Sequence, residues 1–393
     1  MAPHSTISHY INESEIPSDH RTQIEKLRKA LGPELLEEAW FFNDDFSLLR
    51  WLYGWDFKID EILPRFKQSA CTLIALKIGE HLKACEGDMN TYVTNLTPCA
   101  EYFPGGVMSF DKDGNAVFLQ CISKVHPRSL VKCDRVSELF KLVLVEAGLT
   151  YLMLREKEQK SGKKLGLKII IDMEGFSKDL LYGPTLKTYL ALLKLMQETF
   201  PDFARALYVI NAPSMMSAVY ALVKPVLAKQ TQEKITFLPK DYKKLLCDAI
   251  GEEYIYEKWG GTLKPPGEKE TGTLRMGGMT PDHLMYQAEK NPFHIKDSSL
   301  IKLNVPARNK KEVKITVDKP GSKLNWFFVS SNDIEFYIQK DGKDIWPRFR
   351  LSTEFVPEWN TLACEDTGEY VLIFDNSYGT IFSKDVKFHA FVN

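Results

Sequence analysis

Hydrophobic positions in the first part of the chain recur at helical spacing. Ile24, Leu27 and Leu31 lie three or four residues apart and predict an amphipathic helix that Gly32-Pro33 ends. Asn43-Asp44-Asp45 offers N-cap candidates for a second helix. A third helix is indicated by the apolar positions Ile59, Ile62, Leu63, Phe66, Ala70, Leu73 and Ile74. Three helices before any strand predict a small α-helical module over residues 21–92, after a polar segment, residues 1–20, that we expect to be mobile.

The middle of the chain alternates strand and helix patterns. Asp113-Gly114 predicts a tight turn between two strands. Residues 167–171 and 207–210 are short unbroken apolar runs, typical of strands buried on both faces in a parallel sheet. Helices are predicted at residues 182–200 and 242–250. This order predicts right-handed crossovers and an α/β domain, which we place at residues 93–263.

One predicted helix, at about residues 213–227, is apolar on nearly every side. Asn211 ends the strand before it, and Pro213 suits the first turn of a helix because an N–H has no helical partner there. The only charged residue from Met215 to Leu227 is Lys224. A helix of this kind must be covered by protein or by lipid. On the residues alone, a plain core helix is the more frequent case.

The pattern changes again toward the C-terminus. Residues 264–284 hold Pro265-Pro266-Gly267, Gly277-Gly278 and Pro281, a composition typical of a linker. Beyond them, Asp341-Gly342 predicts a turn, and strands are predicted at residues 313–317, 326–330, 334–338, 370–374 and 386–391. Short strands without intervening helices predict an antiparallel β-sandwich over residues 285–393. We expect this sandwich to fold as an independent domain.

Composition and charge narrow the classes of protein. A chain of 393 residues, 44% hydrophobic and 26% charged, fits two or three ordinary globular domains. The net charge of −1 excludes a nucleic-acid binder that works through a broad basic field. No run approaches the roughly 18 apolar residues of a membrane span, and no apolar signal-peptide core is seen. Seven cysteines without a C-x-x-C pair predict reduced thiols in the cytosol. The charged run at residues 155–164 predicts a solvated loop.

Motifs for catalysis and metal binding are absent from the sequence. It contains no phosphate-binding loop, nucleophile elbow, zinc-protease motif or dinucleotide fingerprint. The acidic cluster that starts at Asp111 fails as a calcium loop, because Ala116 and Ile122 stand where glycine and glutamate are needed. Asp172 and Glu174 follow a buried strand and could be catalytic carboxylates, which leaves a hydrolase or isomerase as the enzymatic alternative. We predict instead a protein that is not an enzyme and holds no metal or cofactor.

Several segments resemble one known family. The segments around the apolar helix read FPDFARALYVINAP and VKPVLAKQTQEKITFL, which resemble the signature of the CRAL-TRIO lipid-transfer family. Other characteristic segments of that family resemble four further stretches of this chain: the helical segment DDFSLLRWLYGWDFKIDEILPRF, the hairpin GGVMSFDKDGNAVF, the turn IIDMEGFS and the ending WGGT. The last segment, GEYVLIFDNSYGTIFSKDVKFHAFV, resembles the end of a GOLD domain, a β-sandwich linked to Golgi and secretory traffic. Both domains together are the arrangement of the supernatant protein factor or tocopherol-associated group.

The resemblance implies a multidomain fold of three parts. A helical module would precede an α/β CRAL-TRIO domain whose parallel sheet floors a lipid cavity, and a GOLD sandwich would follow. The apolar helix would then be a hinged gate over the cavity, an interpretation that we favour over the core helix. The expected lipid-binding residues are Asp202, Tyr208, Ile210, Met215, Met216, Val219, Tyr220, Val223, Leu227 and Lys234.

Two of these positions concern the lipid headgroup. In relatives that bind phosphatidylinositol, the residues at the positions of Asp202 and Lys234 contact the inositol ring. The alternative for this chain is a solvated carboxylate and a surface lysine. Such relatives also use basic residues on the phosphate, at a place where this chain has Tyr53-Gly54-Trp55-Asp56. This departure predicts weak phosphatidylinositol binding and favours a less charged ligand.

These features predict a cytosolic carrier that binds one hydrophobic lipid in a gated cavity and transfers it between membranes. The alternative is a membrane-traffic adaptor that senses lipid and recruits proteins through the GOLD domain. Expected partners are a lipid such as a phospholipid or tocopherol, a transient membrane surface and proteins at the GOLD domain, but no nucleic acid. We expect the protein in the cytoplasm, peripherally associated with Golgi or endosomal membranes.

Overall fold

The structure, a computed structural model, describes residues 12–393. Residues 1–11, the first part of the segment predicted to be mobile, lie outside this range. The chain divides into two compact units. Unit 1 holds the described residues up to Ala70 together with Ile78–Pro127 and Leu144–Met279, and unit 2 holds Cys71–Lys77, Arg128–Val143 and Thr280–Asn393. Within residues 12–393, no helix is both long enough and apolar enough to cross a membrane.

The N-terminal region is helical, as predicted. Ile24, Leu27 and Leu31 are the buried residues of the first helix, which confirms the predicted spacing. Asp44 caps the third helix, and its carboxylate accepts the Ser47 N–H at 2.9 Å. The helices are α1 (Ser18–Leu31), α2 (Pro33–Glu38), α3 (Asp45–Gly54), α4 (Ile59–Ala75), α5 (Ile78–Ala84) and α6 (Met89–Thr94).

The residues just before α1 are tied to the rest of unit 1, although the sequence led us to expect mobility. Glu13–Glu15 form a 3-10 turn, and the Glu13 N–H donates to the Gly162 carbonyl at 2.8 Å. Ile16 is only 4% exposed. A single buried isoleucine in a polar segment gives no periodic signal, so composition could not indicate this packing.

A five-stranded sheet forms the centre of unit 1, in the order β1-β2-β3-β4-β5. β1 (Gly106–Phe110) and β2 (Ala116–Gln120) are an antiparallel hairpin, which confirms the predicted turn. β3 (Leu167–Asp172), β4 (Ala204–Ile210) and β5 (Ile235–Phe237) continue the sheet in parallel. The remaining helices are α7 (Pro127–Leu130), α8 (Val136–Ser161), α9 (Gly183–Thr199), α10 (Met216–Val223), α11 (Lys229–Glu233) and α12 (Tyr242–Ile250).

One face of this sheet is fully packed. Side chains alternate between the two faces along a strand, and residues in register on neighbouring strands share a face. Ile170 of β3 and Ile210 of β4 lie in a core with Leu246 of α12 and with Trp259, all at most 1% exposed. We call this side of the sheet the packed face.

The other face lies toward the crossover helices. The strand order advances in one direction, so right-handed crossovers place the helices between the parallel strands on one side. The Tyr220 ring of α10 lies 5.5 Å from the Phe237 ring of β5. In register, Phe237 pairs with Val209 of β4, which pairs with Ile171 of β3. We call this side the crossover face.

Two segments predicted to be solvated or flexible carry buried ion pairs in unit 1. Within the charged run 155–164, α8 continues to Ser161, and Glu158 is buried against Arg50. In the predicted linker, the Nη2 group of Arg275 donates two hydrogen bonds to the Glu146 carboxylate, at 2.8 and 2.7 Å. Both side chains are buried. Sequence composition marks these residues as polar but does not show that each has a buried partner.

Unit 2 contains two four-stranded antiparallel sheets. Their strand orders are β10-β9-β12-β7 and β11-β8-β13-β6. The predicted turn at Asp341-Gly342 joins β9 and β10, and both residues have positive φ, as a two-residue hairpin turn requires. The strands are β6 (Ile301–Val305), β7 (Lys310–Val317), β8 (Lys323–Ser330), β9 (Ile334–Lys340), β10 (Lys343–Leu351), β11 (Glu358–Ala363), β12 (Gly368–Asp375) and β13 (Lys384–Val392).

All five strands predicted in this region are present, and three further strands were missed. The missed strands, β6, β10 and β11, each lie at the edge of a sheet. Edge strands face solvent along one side and carry more polar residues, which weakens the hydrophobic alternation. Pro347 interrupts the pattern of β10, and an edge strand accommodates its missing N–H together with irregular pairing around Trp346.

Residues 128–143 belong to unit 2 and contribute to its packing. The Phe140 ring lies 5.6 Å from the ring of Phe349. Ser137 donates its hydroxyl to the Glu358 carboxyl at 2.8 Å, and Glu358 is 1% exposed. Burial raises the pKa of Glu358 to about 8, although the nearby Arg135 opposes the shift. A fragment restricted to the predicted sandwich, residues 285–393, would therefore lack part of the packing seen in unit 2.

We predict that Glu358 makes unit 2 less stable as the pH rises. The folded pKa of about 8 exceeds the ordinary 4.5, so unfolding above about pH 4.5 releases a proton. The stabilisation is complete below that value and is lost as the pH rises through 8. In thermal melts from pH 5 to pH 8.5, the wild type should lose more stability than Glu358→Gln, which does not titrate. Parallel pH profiles of the two proteins would contradict this assignment.

Candidate functional site

The crossover face is apolar but incompletely covered. β3 is the middle strand, and Leu167 on the crossover face and Ile170 on the packed face are buried, yet Ile169 and Ile171 remain partly exposed on the crossover face. Phe118, in register with Ile169, is partly exposed as well. Protein interiors are normally packed without such gaps. Apolar side chains that keep this exposure at the centre of a sheet indicate space that the protein's own side chains do not fill.

Helix α9 has the same character. Leu192 is buried, but Leu190, Leu193 and Met196 are partly exposed. Burial alone raises the pKa of the Tyr189 hydroxyl to about 12, although the residue keeps part of its surface exposed.

α10 is shorter than the predicted helix 213–227. The α-helix covers Met216–Val223, and Lys224–Val226 continue as a 3-10 turn. Pro213 does not open the helix: its carbonyl accepts the Met216 N–H at 2.9 Å in a turn that precedes it. Pro225 has no N–H, so the α-helical bonding ends near it. The predicted bounds were therefore wrong at both ends.

α10 has a covered side and an open side. Val219 is 9% exposed, and the other residues predicted to line the cavity are partly buried: Met215, Met216, Tyr220, Val223 and Leu227. Ser217, Ala218, Ala221 and Leu222 are exposed, with Leu222 at 44%. A core helix, the alternative that the sequence left open, would be buried all round. α10 is instead an apolar helix at the surface.

Polar contacts hold the two ends of this segment. On the C-terminal side, Gln197 of α9 donates to the Val226 carbonyl at 2.7 Å and accepts the Ala228 N–H at 2.6 Å. On the N-terminal side, Asn211 donates to Asp172 at 2.8 Å. In the described structure, the side chains of Met216–Val223 form no hydrogen bond or ion pair. Apolar contacts alone therefore hold the middle of the segment.

Two predicted lipid contacts lie on the opposite side of the sheet. Ile210 is fully buried in the packed-face core, and Tyr208 packs against that core. Their neighbours Leu207 and Val209 face the crossover side, in register with Ile235 and Phe237. Placing Tyr208 and Ile210 in the cavity was therefore wrong. In a short strand whose residues are all apolar, the sequence does not show which alternate residues face which side of the sheet.

Asp202 and Lys234 come together, but neither is solvated. The Lys234 ammonium lies 2.7 Å from the Asp202 carboxylate, and Lys164 lies 2.8 Å from its other oxygen. The exposed fractions of the Lys234, Asp202 and Lys164 side chains are 5%, 3% and 1%. Burial lowers the pKa of Lys164 to about 8, against the attraction of Asp202. One carboxylate therefore serves two buried lysines, and the alternative of a solvated pair is wrong.

The segment Tyr53-Gly54-Trp55-Asp56 lies beside this cluster. The Lys164 ammonium is 5.7 Å from the centre of the Tyr53 ring. Gly54 packs so closely on Pro201, next to Asp202, that an added Cβ would lie 2.4 Å from the Pro201 Cβ. The segment therefore contributes an aromatic ring and a tight backbone contact, and it brings no basic side chain to the cluster.

Asp172, the candidate catalytic carboxylate, is occupied by structural hydrogen bonds. It is 4% exposed and accepts bonds from the Trp259 indole at 2.9 Å, the Asn211 amide at 2.8 Å and the Glu174 N–H at 2.9 Å. These bonds join the ends of two strands to the segment after α12. Glu174 is 62% exposed and pairs with Lys124 at the surface. The two carboxylates thus have separate environments.

The residues that sequence reasoning missed fall into two groups. Phe118, Ile169 and Ile171 could have been found by taking every second residue of the buried strands once one face was assigned. Lys164 and Gln197 are ordinary polar residues in the sequence, and their roles depend on contacts with Asp202 and Val226 that are distant along the chain. No local signal reveals contacts of this kind.

The chain is similar to several known proteins. Residues 100–261 match the family model described as CRAL/TRIO domain. Protein ctg-1 of Caenorhabditis elegans is 25% identical over 372 residues, which cover 88% of this chain and 91% of that protein. Protein real-time of Aedes aegypti is 25% identical over 320 residues, which cover 78% of this chain and 47% of that protein. The crystal structure of Sfh5 is 17% identical, covers 60% of this chain and 84% of that chain, and aligns with a TM-score of 0.43.

Residues 100–261 are therefore similar to a CRAL/TRIO domain, and in this chain they follow a helical region and precede the antiparallel sheets. A domain of this family implies lipid binding or transfer in general. The chain spans almost the whole length of ctg-1 but less than half of protein real-time. The matched segment ends before the C-terminal sheets, so their resemblance to a GOLD domain stays a prediction.

We predict that the lysine–aspartate cluster supports the fold of unit 1. Asp202→Asn should lower the free energy of unfolding by about 3–5 kcal/mol, because it leaves two buried lysines without a carboxylate. Urea unfolding followed by circular dichroism measures the change. Glu174→Gln is the matched control, since its exposed pair should contribute about 1 kcal/mol or less. Similar midpoints for the two variants would contradict a supporting role for Asp202.

Proposed function

We propose that this protein binds a single hydrophobic lipid against the crossover face of its sheet and carries it between membranes. The partial exposure of Ile169 and Ile171 on the middle strand is the observation that carries this proposal. Aliphatic side chains in such a position suit a lipid chain, which needs apolar contact and no hydrogen bonds. The CRAL-TRIO match makes lipid the expected class of ligand.

α10 is the proposed gate. It covers the crossover face at Phe237 through the Tyr220 ring, and its outward side exposes Ala218, Ala221 and Leu222. Because apolar contacts alone hold its side chains, outward movement breaks no side-chain hydrogen bond. Asn211 and Gln197 fix the segments before and after it, which would confine the motion to the helix between them. An exposed apolar side also suits contact with a membrane while lipid exchanges.

The headgroup end of the site favours a ligand with little charge. Lys234 also donates to the Ala204 carbonyl at 2.7 Å, so it already has two partners within the protein. An anionic headgroup would have to compete with Asp202 for either lysine. Tocopherol has no anionic group and avoids this competition, and the ammonium of phosphatidylcholine offsets its phosphate, whereas phosphatidylinositol carries a net negative charge. We therefore propose weak phosphatidylinositol binding.

We propose a carrier and not an enzyme. The Asp172 carboxylate accepts three hydrogen bonds from the protein, which leaves little capacity for a reacting group. We further propose that the two antiparallel sheets of unit 2 are a GOLD sandwich, on the sequence resemblance of residues 368–392 and the sheet architecture. An adaptor role through that sandwich would require a protein partner, whereas a carrier transfers lipid between vesicles unaided.

Filling the crossover face should block lipid binding without unfolding the protein. Ile171→Phe adds volume where the side chain is partly exposed, so uptake of a fluorescent phosphatidylcholine from vesicles should fall about tenfold while the melt stays near that of the wild type. Ile170→Phe is the matched control on the packed face. Overpacking there should cost about 1–3 kcal/mol of stability but leave uptake per folded molecule unchanged. Normal uptake by Ile171→Phe would remove the crossover face from the site.

The gate is tested by placing a charge on either side of α10. Val219→Asp puts a carboxylate on the covered side, at a cost of several kcal/mol if it stays unpaired. A hinged helix can turn that residue to water, so we expect transfer between vesicles to collapse while the thermal melt shifts only slightly. Ser217→Asp, on the exposed side, should preserve the melt and reduce transfer only if that side enters the membrane. A strongly lowered melt for Val219→Asp, or normal transfer, would leave the gate without support.

A further inference from the structure

The loop between β12 and β13, residues 376–383, exposes two large hydrophobic side chains at its tip. Ile381 is 76% exposed and Phe382 is 79% exposed. They are the two most exposed large hydrophobic side chains in the described part of the chain. Exposing two adjacent large apolar side chains to water is unfavourable, and a contiguous exposed apolar patch commonly marks an interaction site.

The loop that presents them is well braced. Asn376 is fully buried, and its side-chain amide donates to the Val305 carbonyl at 3.2 Å and to the Phe382 carbonyl at 3.0 Å. Gly379 passes so close that an added Cβ would lie 2.2 Å from Oδ1 of Asn376. The backbone of Phe382 is thus fixed from inside while its side chain points outward. Flexibility of a loose loop therefore does not account for the exposure.

Tyr378 adds a second brace. Its hydroxyl donates to the Asp333 carbonyl at 2.6 Å. The Arg350 guanidinium lies 3.8 Å from the centre of its ring, and the Lys384 ammonium lies 4.1 Å from the same centre. These cation–π contacts hold the aromatic ring of the loop against the sandwich. Ile381 and Phe382, unlike Tyr378, are left with nothing in unit 2 to cover them.

A basic loop lies directly beside this tip. The Arg308 N–H, between β6 and β7, donates to the Asn376 carbonyl at 3.1 Å and to the Gly379 carbonyl at 3.0 Å. Residues 306–311 read PARNKK, with three cations and no acid. Arg308 and Lys311 are exposed and form no ion pair with any described residue, whereas Lys310 pairs with Glu312 at 2.8 Å. The apolar tip therefore lies beside a loop whose cations Arg308 and Lys311 are not paired with any described acidic residue.

We propose that these two loops form a membrane-contact surface of unit 2 that binds anionic bilayers. We call it the loop surface, defined by Arg308, Lys311, Ile381 and Phe382. Two protruding apolar side chains suit insertion into the soft interface of a bilayer, and the neighbouring cations suit anionic headgroups. A bilayer offers both complements at once, because its acyl interior is apolar and its headgroups carry negative charge. This proposal does not depend on a lipid cavity in unit 1.

Co-sedimentation of the full-length protein with vesicles tests the apolar part. Binding to vesicles of phosphatidylcholine and phosphatidylserine should fall about tenfold or more in Ile381→Ser/Phe382→Ser, because two insertable side chains are lost. Ile301→Ser is the matched control: Ile301 is a 56% exposed isoleucine on β6, away from the tip in sequence, and its loss should leave binding unchanged. Thermal melts of both variants should match the wild type, since the substituted side chains are exposed.

A second pair of substitutions tests the charge. Arg308→Asn removes the charge, and asparagine tolerates the left-handed backbone at this position, where φ is 60°. Lys311→Gln also removes a charge and keeps a long polar side chain. Each should lower binding to phosphatidylserine vesicles about fivefold at low salt, with little change on phosphatidylcholine alone. Added salt should reduce the difference, because exposed charges are screened.

The contribution of α10 is separated by repeating both tests in a Leu222→Ser background, which alters the exposed side of that helix. The ratio between parent and loop-surface variant should be the same in both backgrounds. Equal binding of parent and Ile381→Ser/Phe382→Ser to phosphatidylserine vesicles would overturn the proposal. So would a concentration-dependent dimer in gel filtration that those substitutions dissolve while vesicle binding stays intact, because the surface would then join two copies.

Discussion

A strand in the middle of a sheet has two faces, and both must be covered if the strand is to leave water. In unit 1 the packed face meets this condition through α12 and Trp259, and Ile170 is fully buried. The crossover face meets it only partly, since Ile169 and Ile171 stay partly exposed beneath the crossover helices. This imbalance between the two faces is the constraint on which the proposed lipid site depends. A lipid would complete the missing cover, and α10, which is held by apolar contacts, is the element that could move to admit it.

Buried charge lies at both ends of the parallel strands. Asp202 with its two lysines closes one end of the parallel strands, and Asp172 with Trp259 and Asn211 closes the other. Each cluster joins segments that are far apart in sequence, and each satisfies its polar groups within the protein. Because Lys164 and Lys234 are already paired with Asp202, the headgroup end of the proposed site suits a ligand of low charge.

Much of this architecture could be predicted from the sequence, and the failures have common causes. Long periodic or wholly apolar segments, such as α12 and β3, were placed within a residue or two because local pattern determines them. Tyr208 and Ile210 were assigned to the wrong face because a wholly apolar strand carries no sign of its orientation. Lys164 and Glu158 were placed in a solvated loop, and Arg275 in a linker, because their partners lie far along the chain. The edge strands of unit 2 escaped notice because solvent on one side weakens their pattern.

Native mass spectrometry of the purified full-length protein tests the central claim most directly. After incubation with vesicles that contain phosphatidylcholine and tocopherol, we expect a species heavier than the bare chain by the mass of one lipid. Organic extraction should recover that lipid chemically intact, and the Ile171→Phe protein should show the bare mass. A wild-type protein that stays at the mass of the bare chain under these conditions would contradict the claim that the crossover face holds a lipid.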